Sequence, residues 1–181
     1  MRHAVAAAVL ALCAALAGCT QYALDRQAAG GTIESDARVY VAQPRPGKYD
    51  LHPYPQSGRQ TRDAVAQALA GRVAKVDVGA HFEEEAAALA TAQARGATLL
   101  VLPVIEQWQE RPTESTGIPD RIAIRIWILD AATGKEIDSA VVTGKSGWLT
   151  FRGGHPQDLL PRAVGDYVAL LLPATAAGDG S

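Results

Sequence analysis

Four isoleucines at every second position, from Ile122 to Ile128, constrain the fold of this chain more than any other feature of its sequence. The positions that alternate with them carry different side chains: Arg121, Ala123, Arg125 and Trp127. Such alternation is typical of a strand that has one face in the core. A glycine-containing turn at 130–135 and a second alternating run at 136–145 follow, and together they predict an antiparallel hairpin.

Helices and strands precede this hairpin, and one helix follows it. Strands are expected at 38–42, 74–78 and 98–110. Helices are expected at 61–73, at 83–95 and from Pro156. The buried face of the last helix is expected to consist of Leu160, Val164, Val168 and Leu171 or Leu172. Prolines in 43–58 predict an ordered loop, and Pro103 predicts a bulge or an edge position in its strand. The order β-α-β-α-β-β-β-α predicts an α+β two-layer sandwich, with a mixed sheet of about five strands and helices packed on one face.

The start of the chain has the pattern of a lipoprotein signal peptide. Arg2 supplies a positive charge, and residues 4–17 form an apolar segment too short to cross a bilayer. In such peptides a cysteine is acylated and the chain is cut before it, here between Gly18 and Cys19. Thr20 stands in place of the aspartate that commonly retains bacterial lipoproteins at the inner membrane. The expected location is therefore the periplasmic face of the outer membrane, with the membrane bound through the lipid.

Two alternatives remain open for this segment. An ordinary secretory signal could be cut after Ala17, because Ala15 and Ala17 fit an A-x-A-like site. An uncleaved anchor helix is disfavoured, because the sequence turns polar at Thr20.

One domain is expected after the signal peptide. The expected parts are a lipoprotein signal peptide at 1–18, a flexible lipidated tether at 19–37, a single α+β domain at 38–173 and a disordered tail at 174–181. Of the two cysteines, Cys13 leaves with the signal peptide and Cys19 takes the lipid. The exported domain then has no disulfide, although its compartment is oxidising.

Charge and motifs argue against several function classes. The formal net charge of −2 disfavours a nucleic-acid partner, which requires a basic surface. His52, His81 and His155 lack metal-ligand spacing, and no nucleophile elbow, phosphate loop or dinucleotide motif is present. We therefore expect no catalytic residue, no metal and no cofactor. The acidic run 83–85 is interpreted as the solvated first turn of a helix.

Aromatic side chains are the candidates for partner or ligand contact. They are Trp127, Trp148, Phe151, Tyr49 and Tyr54. Exposed together, they would form a patch for a protein or a glycan. The alternative is that they fill the core of an alanine-rich domain. Trp127 is the strongest candidate, because it lies on the strand face opposite the isoleucines.

Several short stretches are similar to an uncharacterised family of bacterial lipoproteins that carries a domain of unknown function. They are GWLTF at 147–151, PQDLL at 156–160, DYV at 166–168, RVYVA at 38–42 and ARGA at 94–97. The resemblance covers roughly 38–172 and implies a small envelope lipoprotein, with no catalytic residues to transfer. The element order also resembles the amino-terminal domain of the Tol translocation protein, the lipoproteins that activate penicillin-binding proteins and the curli-secretion lipoprotein. That second likeness concerns the fold alone.

These observations favour a non-enzymatic adaptor or accessory subunit of an envelope assembly, with an envelope protein as its partner. The alternative is a protein that binds cell-wall glycan or a small ligand. A hydrolase with a dispersed site is the least favoured reading.

Overall fold

A computed structural model describes residues 20–28, 30–110, 118–147 and 155–172 of the protein. Its strands are β1 (Gln21–Ala28), β2 (Arg38–Gln43), β3 (Lys48–Tyr49), β4 (His52–Pro53), β5 (Lys75–Phe82), β6 (Leu99–Gln109), β7 (Arg121–Asp130) and β8 (Glu136–Lys145). Its helices are α1 (Ser57–Leu69), α2 (Glu85–Ala94) and α3 (Leu160–Leu171), and α3 continues a 3₁₀ turn at Pro156–Leu159.

Six strands form one mixed sheet in the order β1-β8-β7-β6-β2-β5. Strand β2 runs parallel to both β5 and β6, and the other neighbours in this sheet are antiparallel. The predicted α+β class, with a mixed sheet and helices packed on it, is confirmed. The sheet has one strand more than the sequence indicated, because β1 was not expected.

The β7–β8 hairpin confirms the prediction from the alternating isoleucines, which are at most 2% exposed. Its turn is held by Asp130, whose carboxylate accepts hydrogen bonds from the backbone N–H and the hydroxyl of Thr133 at 2.8 and 2.6 Å. These bonds lower the pKa of Asp130. Gly134 takes a φ of +71°, which glycine adopts without strain. The turn chemistry and the apolar period thus specify the same register.

Helices α1 and α3 cover the isoleucine face of the sheet. The predicted stripe of α3 is buried at Leu160, Val164, Val168 and Leu171. Helix α1 contributes Val65 and Leu69 to the same core. It begins at Ser57 and ends at Leu69, four residues before each predicted bound, because Gly71 turns the chain towards β5 with a φ of +73°.

Helix α2 packs on the opposite face of the sheet, which differs from the expectation that all helices share one face. Its buried residues, Ala88 and Ala92, belong to a second core with Tyr40 and Leu100. The residues that flank Tyr40 and Leu100 in sequence face the isoleucine core instead; they are Val39 and Val41 on β2, and Leu99 and Val101 on β6. Strands β2 and β6 are therefore apolar on both sides and require cover on both sides.

Residues Gln21–Ala28, which the sequence assigned to a flexible tether, form strand β1 at the edge of the sheet, so that expectation is wrong for this stretch. The strand pairs with β8 from Gln21–Lys145 onwards. Its alternate residues Tyr22 and Leu24 pack against the isoleucine core. The signal peptide, Cys19 and the tail from 174 lie outside the described residues and stay predictions.

A buried carboxylate fixes the position of β1. Asp138 on β8 has no solvent exposure, and it accepts hydrogen bonds from the guanidinium of Arg26 on β1 and from the hydroxyl of Tyr167 on α3. Burial and the bond to Asp138 raise the pKa of the Tyr167 phenol well above its ordinary value. One side chain therefore links two strands and a helix.

Candidate functional site

A half-open groove of about 650 Å³ lies beside β6, at the point where β2 ends. Strand β2 pairs with β6 only as far as Val41 and Val101, so the second half of β6 lacks a paired β2 residue on that side. The loop after β2 and the segment that begins α2 close the groove around the exposed part of β6. The groove is thus a consequence of unequal strand lengths.

The proline-rich loop 43–48 forms one wall of the groove. Pro44 and Pro46 end the β2 ladder, and Gly47 then approaches β6 so closely that a Cβ there would lie 2.7 Å from the Cβ of Trp108. The hydroxyl of Ser57 accepts a 2.7 Å hydrogen bond from the backbone N–H of Gly47. The predicted ordered loop is confirmed, with one addition: β3 and β4 form a two-residue hairpin within it.

Pro103 lies in the groove at the edge of β6 that β2 leaves uncovered. Pro103 has a partner in β7, Ile126, and none in β2, and an unpaired strand edge tolerates a residue without an N–H. The prediction of an edge position is confirmed.

A cation stacked on an aromatic ring forms one rim of the groove. The guanidinium carbon of Arg45 lies 4.1 Å from the ring centroid of Phe82, which ends β5. The same guanidinium forms an ion pair with Glu84, and both charged side chains are about 70% exposed. An exposed pair of this kind contributes little to folding, so these groups are available for contact with a ligand or partner.

A second cation–aromatic pair stands on the opposite rim. The guanidinium carbon of Arg125 lies 5.5 Å from the ring centroid of Trp127, and its Nε donates a 2.5 Å hydrogen bond to the carboxylate of Glu106. Trp127 is half-buried and lines the groove. The two rims therefore repeat one arrangement, in which an aromatic face, an arginine and a carboxylate lie together.

Glu83 lines the groove and is held by two hydroxyls. Its carboxylate accepts hydrogen bonds from Tyr40 at 2.5 Å and from Thr91 at 2.6 Å. Burial alone would raise the pKa of Glu83, but these hydrogen bonds outweigh burial and lower it. Burial and the bond to Glu83 raise the pKa of Tyr40 to about 12. Glu83 is thus a fixed anion, not the solvated residue that the sequence suggested, whereas Glu84 and Glu85 are exposed.

The groove is lined by side chains that can form noncovalent contacts with a partner. The described residues form no cluster of metal-ligating side chains. Within 20–28, 30–110, 118–147 and 155–172, no three metal-ligating side chains come together. His52 and His81 lie on β4 and β5, and His155 pairs with Glu110 at 2.7 Å. Aromatic faces, cations and carboxylates line the groove, and they can stack on and hydrogen-bond a partner.

Of the aromatic residues predicted for contact, the structure brings Trp127 to the groove. Tyr49 lies in β3, and Tyr54 packs partly against the isoleucine core. Trp148 and Phe151 lie outside the described residues, as do Gly18 and Cys19.

The sequence missed Arg45, Phe82 and Glu106 as groove residues. The signal for the first two was present, since Arg45 stands between two prolines and Phe82 directly precedes the acidic run. Their proximity depends on the parallel pairing of β2 with β5, which a sequence pattern does not reveal.

Fold and groove together define a class of protein: an α+β domain that has an open groove where one strand of its mixed sheet is left uncovered. The chain belongs to the DUF4823 family, a domain of unknown function, which it matches over residues 32–171. The resemblance to an uncharacterised family with such a domain is thereby confirmed. The sequence matches none of the curated proteins with which it was compared.

Solved structures share this fold. A PelC dodecamer from Paraburkholderia phytofirmans superposes with a TM-score of 0.65 at 17% identity, covering 83% of this chain and 98% of PelC. A second crystal form of PelC gives 0.62, also at 17% identity, over 86% of this chain and 99% of PelC. Protein XCC0632 from Xanthomonas campestris, of family DUF330, gives 0.50 at 12% identity, over 75% of this chain and 83% of that protein. At these identities the likeness shows the fold.

No helix within the described residues is long and apolar enough to cross a membrane.

Proposed function

We propose that this protein is a lipoprotein, anchored through Cys19 to the periplasmic face of the outer membrane, that acts as a non-catalytic adaptor in an envelope assembly. The groove beside β6 is its contact surface for a protein partner. The cysteine after Gly18 and the threonine that follows it support the anchor and its location. The adaptor role depends on the groove.

The observation that carries the adaptor role is the repeated rim arrangement. Trp127 and Phe82 each lie under an arginine, and each arginine pairs with a carboxylate. Tryptophan and arginine dominate the binding energy of protein interfaces, because they combine large apolar area with directed hydrogen bonds. A partner inserted between the rims would bury both rings and would desolvate ion pairs that contribute little in the free protein.

A second copy of the chain is one candidate partner. PelC, which shares the fold, has been solved as a dodecamer. Repeated head-to-tail contacts between identical subunits close into rings, so one groove per subunit would suffice for such an assembly. The adaptor would then act as a homo-oligomer on the membrane.

Glycan binding is a second candidate function for the same groove. Sugars stack on aromatic faces and hydrogen-bond to carboxylates and guanidinium groups, and Trp127, Phe82, Glu84 and Glu106 offer these groups at one groove. Muropeptides are the cell-wall fragments to test.

A photoreactive residue in the groove tests the adaptor role. Val104 is 38% exposed inside the groove, and Leu170 is 54% exposed on α3 and serves as the matched control. Irradiation of intact envelopes should give a discrete protein adduct from position 104 and none from position 170. The yield of this adduct should decrease when Trp127→Ala or Phe82→Ala is combined with the label, because each substitution removes an aromatic ring from the rim of the groove.

Two results would contradict the groove as the contact surface. One is an equal adduct yield from positions 104 and 170, and the other is an adduct yield at position 104 that neither ring substitution changes. An adduct of twice the subunit mass identifies a second copy as the partner. If no protein is captured, a change in Trp127 fluorescence on addition of muropeptides, absent in Trp127→Phe, would support glycan binding in place of the adaptor role.

A further inference from the structure

Strand β1 begins at Gln21, two residues after Cys19. Two extended residues span about 7 Å, which is comparable to the thickness of one lipid headgroup layer. If Cys19 is acylated, as the proposed function requires, the end of the sheet at Gln21 is held against the membrane. The flexible tether expected from the sequence would have left the domain free to move away from the membrane, whereas the observed strand keeps this end of the sheet close to the anchor.

The ends of three further strands, β8, β7 and β6, lie beside Gln21 at the same end of the sheet. Gln21 pairs with Lys145, Lys145 pairs with Arg121, and Arg121 pairs with Gln109. Residues paired across strands point to the same face, so Gln21, Lys145 and Arg121 form a row. We call the surface formed by Gln21, Ile118, Arg121 and Lys145 the anchor end.

The anchor end presents two cations. Arg121 and Lys145 form no ion pair within the described residues, and Arg121 is exposed. The carboxylates nearby are engaged or covered, since Glu110 pairs with His155 and Asp120 is 1% exposed.

An apolar side chain accompanies the cations. Ile118 precedes β7 by three residues and is 41% exposed. Surfaces that combine basic and apolar side chains bind at the boundary between lipid headgroups and acyl chains. The charge of the anchor end is thus complementary to lipid phosphate, next to the position where the anchor joins the strand.

We propose that the anchor end docks on the membrane surface, with Arg121 and Lys145 contacting lipid phosphates. The ten-residue strands β7 and β8 then stand away from the bilayer and carry the turn at 130–135 roughly 30 Å outwards. Docking fixes the direction in which the groove is presented. The inference rests on the proposed lipid anchor.

Single-cysteine labels on the acylated full-length protein measure this orientation. The mature chain has no other free thiol once Cys19 is acylated, since Cys13 belongs to the signal peptide. Ala23→Cys places a fluorophore on an exposed site two residues from Gln21, and Ala132→Cys places one in the exposed opposite turn. In vesicles with nitroxide-labelled headgroups, quenching should be strong at position 23 and weak at position 132. Equal quenching at both positions would overturn the proposal.

Charge removal tests the phosphate contacts. In vesicles that contain anionic lipid, the ratio of docked to undocked domain should fall about fivefold for each of Arg121→Gln and Lys145→Gln. The readout is the difference in quenching between positions 23 and 132, which Lys135→Gln, the matched control in the opposite turn, should leave unchanged. Quenching that is insensitive to both anchor-end substitutions would exclude the contacts.

Vesicle flotation separates this inference from the anchor itself. A wild-type chain that fails to float with vesicles contradicts the proposed lipid anchor. A chain that floats, but is quenched equally at both labelled positions, retains the anchor and contradicts docking.

Discussion

The hydroxyl of Tyr167 donates a 2.8 Å hydrogen bond to the carboxylate of Asp138, and neither residue is exposed to solvent. The same carboxylate accepts hydrogen bonds from Arg26 on both of its oxygens, and the Arg26 side chain is 28% exposed. The edge strand β1 is therefore connected through one buried anion to helix α3, on which the isoleucine core depends. This connection makes the amino-terminal strand part of the domain.

Asp138→Ala should destabilise the protein by about 3 kcal/mol, because it leaves the Arg26 guanidinium and the buried Tyr167 hydroxyl without their acceptor. Urea unfolding measures the loss. Asp25→Ala is the matched control, since Asp25 is an exposed carboxylate on β1 next to Arg26, and it should change stability by less than about 0.5 kcal/mol. Similar losses for both variants would show that Asp138 does not hold the strand.

Tyr40→Phe should lower the unfolding free energy by about 1–2 kcal/mol at pH 8, because it removes a hydrogen bond to the charged Glu83. The pKa of Tyr40 is about 12 in the folded protein and 10 ordinarily. A raised pKa stabilises the fold fully below the unfolded value, and this contribution is lost as pH rises through the folded value. The difference between wild type and variant should therefore shrink between pH 10 and 12. A constant difference over that interval would contradict the assignment.

Glu83→Gln tests the hydrogen bond between Tyr40 and Glu83 by removing the charged acceptor. The folded pKa of Glu83 is lowered, so its contribution is present above the unfolded pKa and is lost as pH falls through the folded one. The variant should be less stable than wild type at pH 7, and the two should converge below about pH 4. Glu85→Gln, at an exposed position, should show no such convergence. Urea unfolding at both pH values measures these differences.

The sequence predicted the elements whose apolar period is strong. The isoleucines of β7 alternate without a break, and the stripe of α3 from Leu160 to Leu171 repeats at helical spacing. In both cases, burial on one face leaves a regular pattern in the sequence.

Two features of the fold left no such pattern. Strand β1 carries only Tyr22 and Leu24 as large apolar residues, and its attachment depends on the distant Asp138. Helix α2 is mostly alanine, so its buried and exposed faces look alike in sequence. The face of the sheet it covers is decided by Tyr40 and Leu100, which belong to other elements.

Trp127 is the groove residue that the sequence predicts as a contact residue. It is predicted because it lies on the strand face opposite the isoleucines, and it does line the groove. Arg45 and Phe82 are far apart in sequence and meet only because β2 and β5 are parallel neighbours. Contacts of this kind follow from topology, which local patterns do not encode.

Ile124→Ala should destabilise the protein by about 3 kcal/mol, because the removed side chain lies fully buried between the sheet and its helices and leaves a cavity. Val104→Ala is the matched control on the neighbouring strand. Its side chain is 38% exposed in the groove, so the loss should stay below about 1 kcal/mol. Thermal or urea unfolding compares the two. Equal losses would mean that the isoleucine face is not the principal core.

Two substitutions at the lipoprotein signal separate anchoring from sorting. Cys19→Ala removes the thiol that would carry the lipid and should move the protein from the membrane to the soluble periplasmic fraction. Thr20→Asp keeps the thiol and introduces the residue that retains lipoproteins at the inner membrane, so the protein should shift from the outer to the inner membrane fraction. Density-gradient fractionation with immunoblotting measures both, and mass spectrometry of the amino terminus identifies the acylated cysteine. Unchanged fractionation of Cys19→Ala would contradict the anchor, because two or three acyl chains contribute far more to the proposed membrane attachment than two surface cations do.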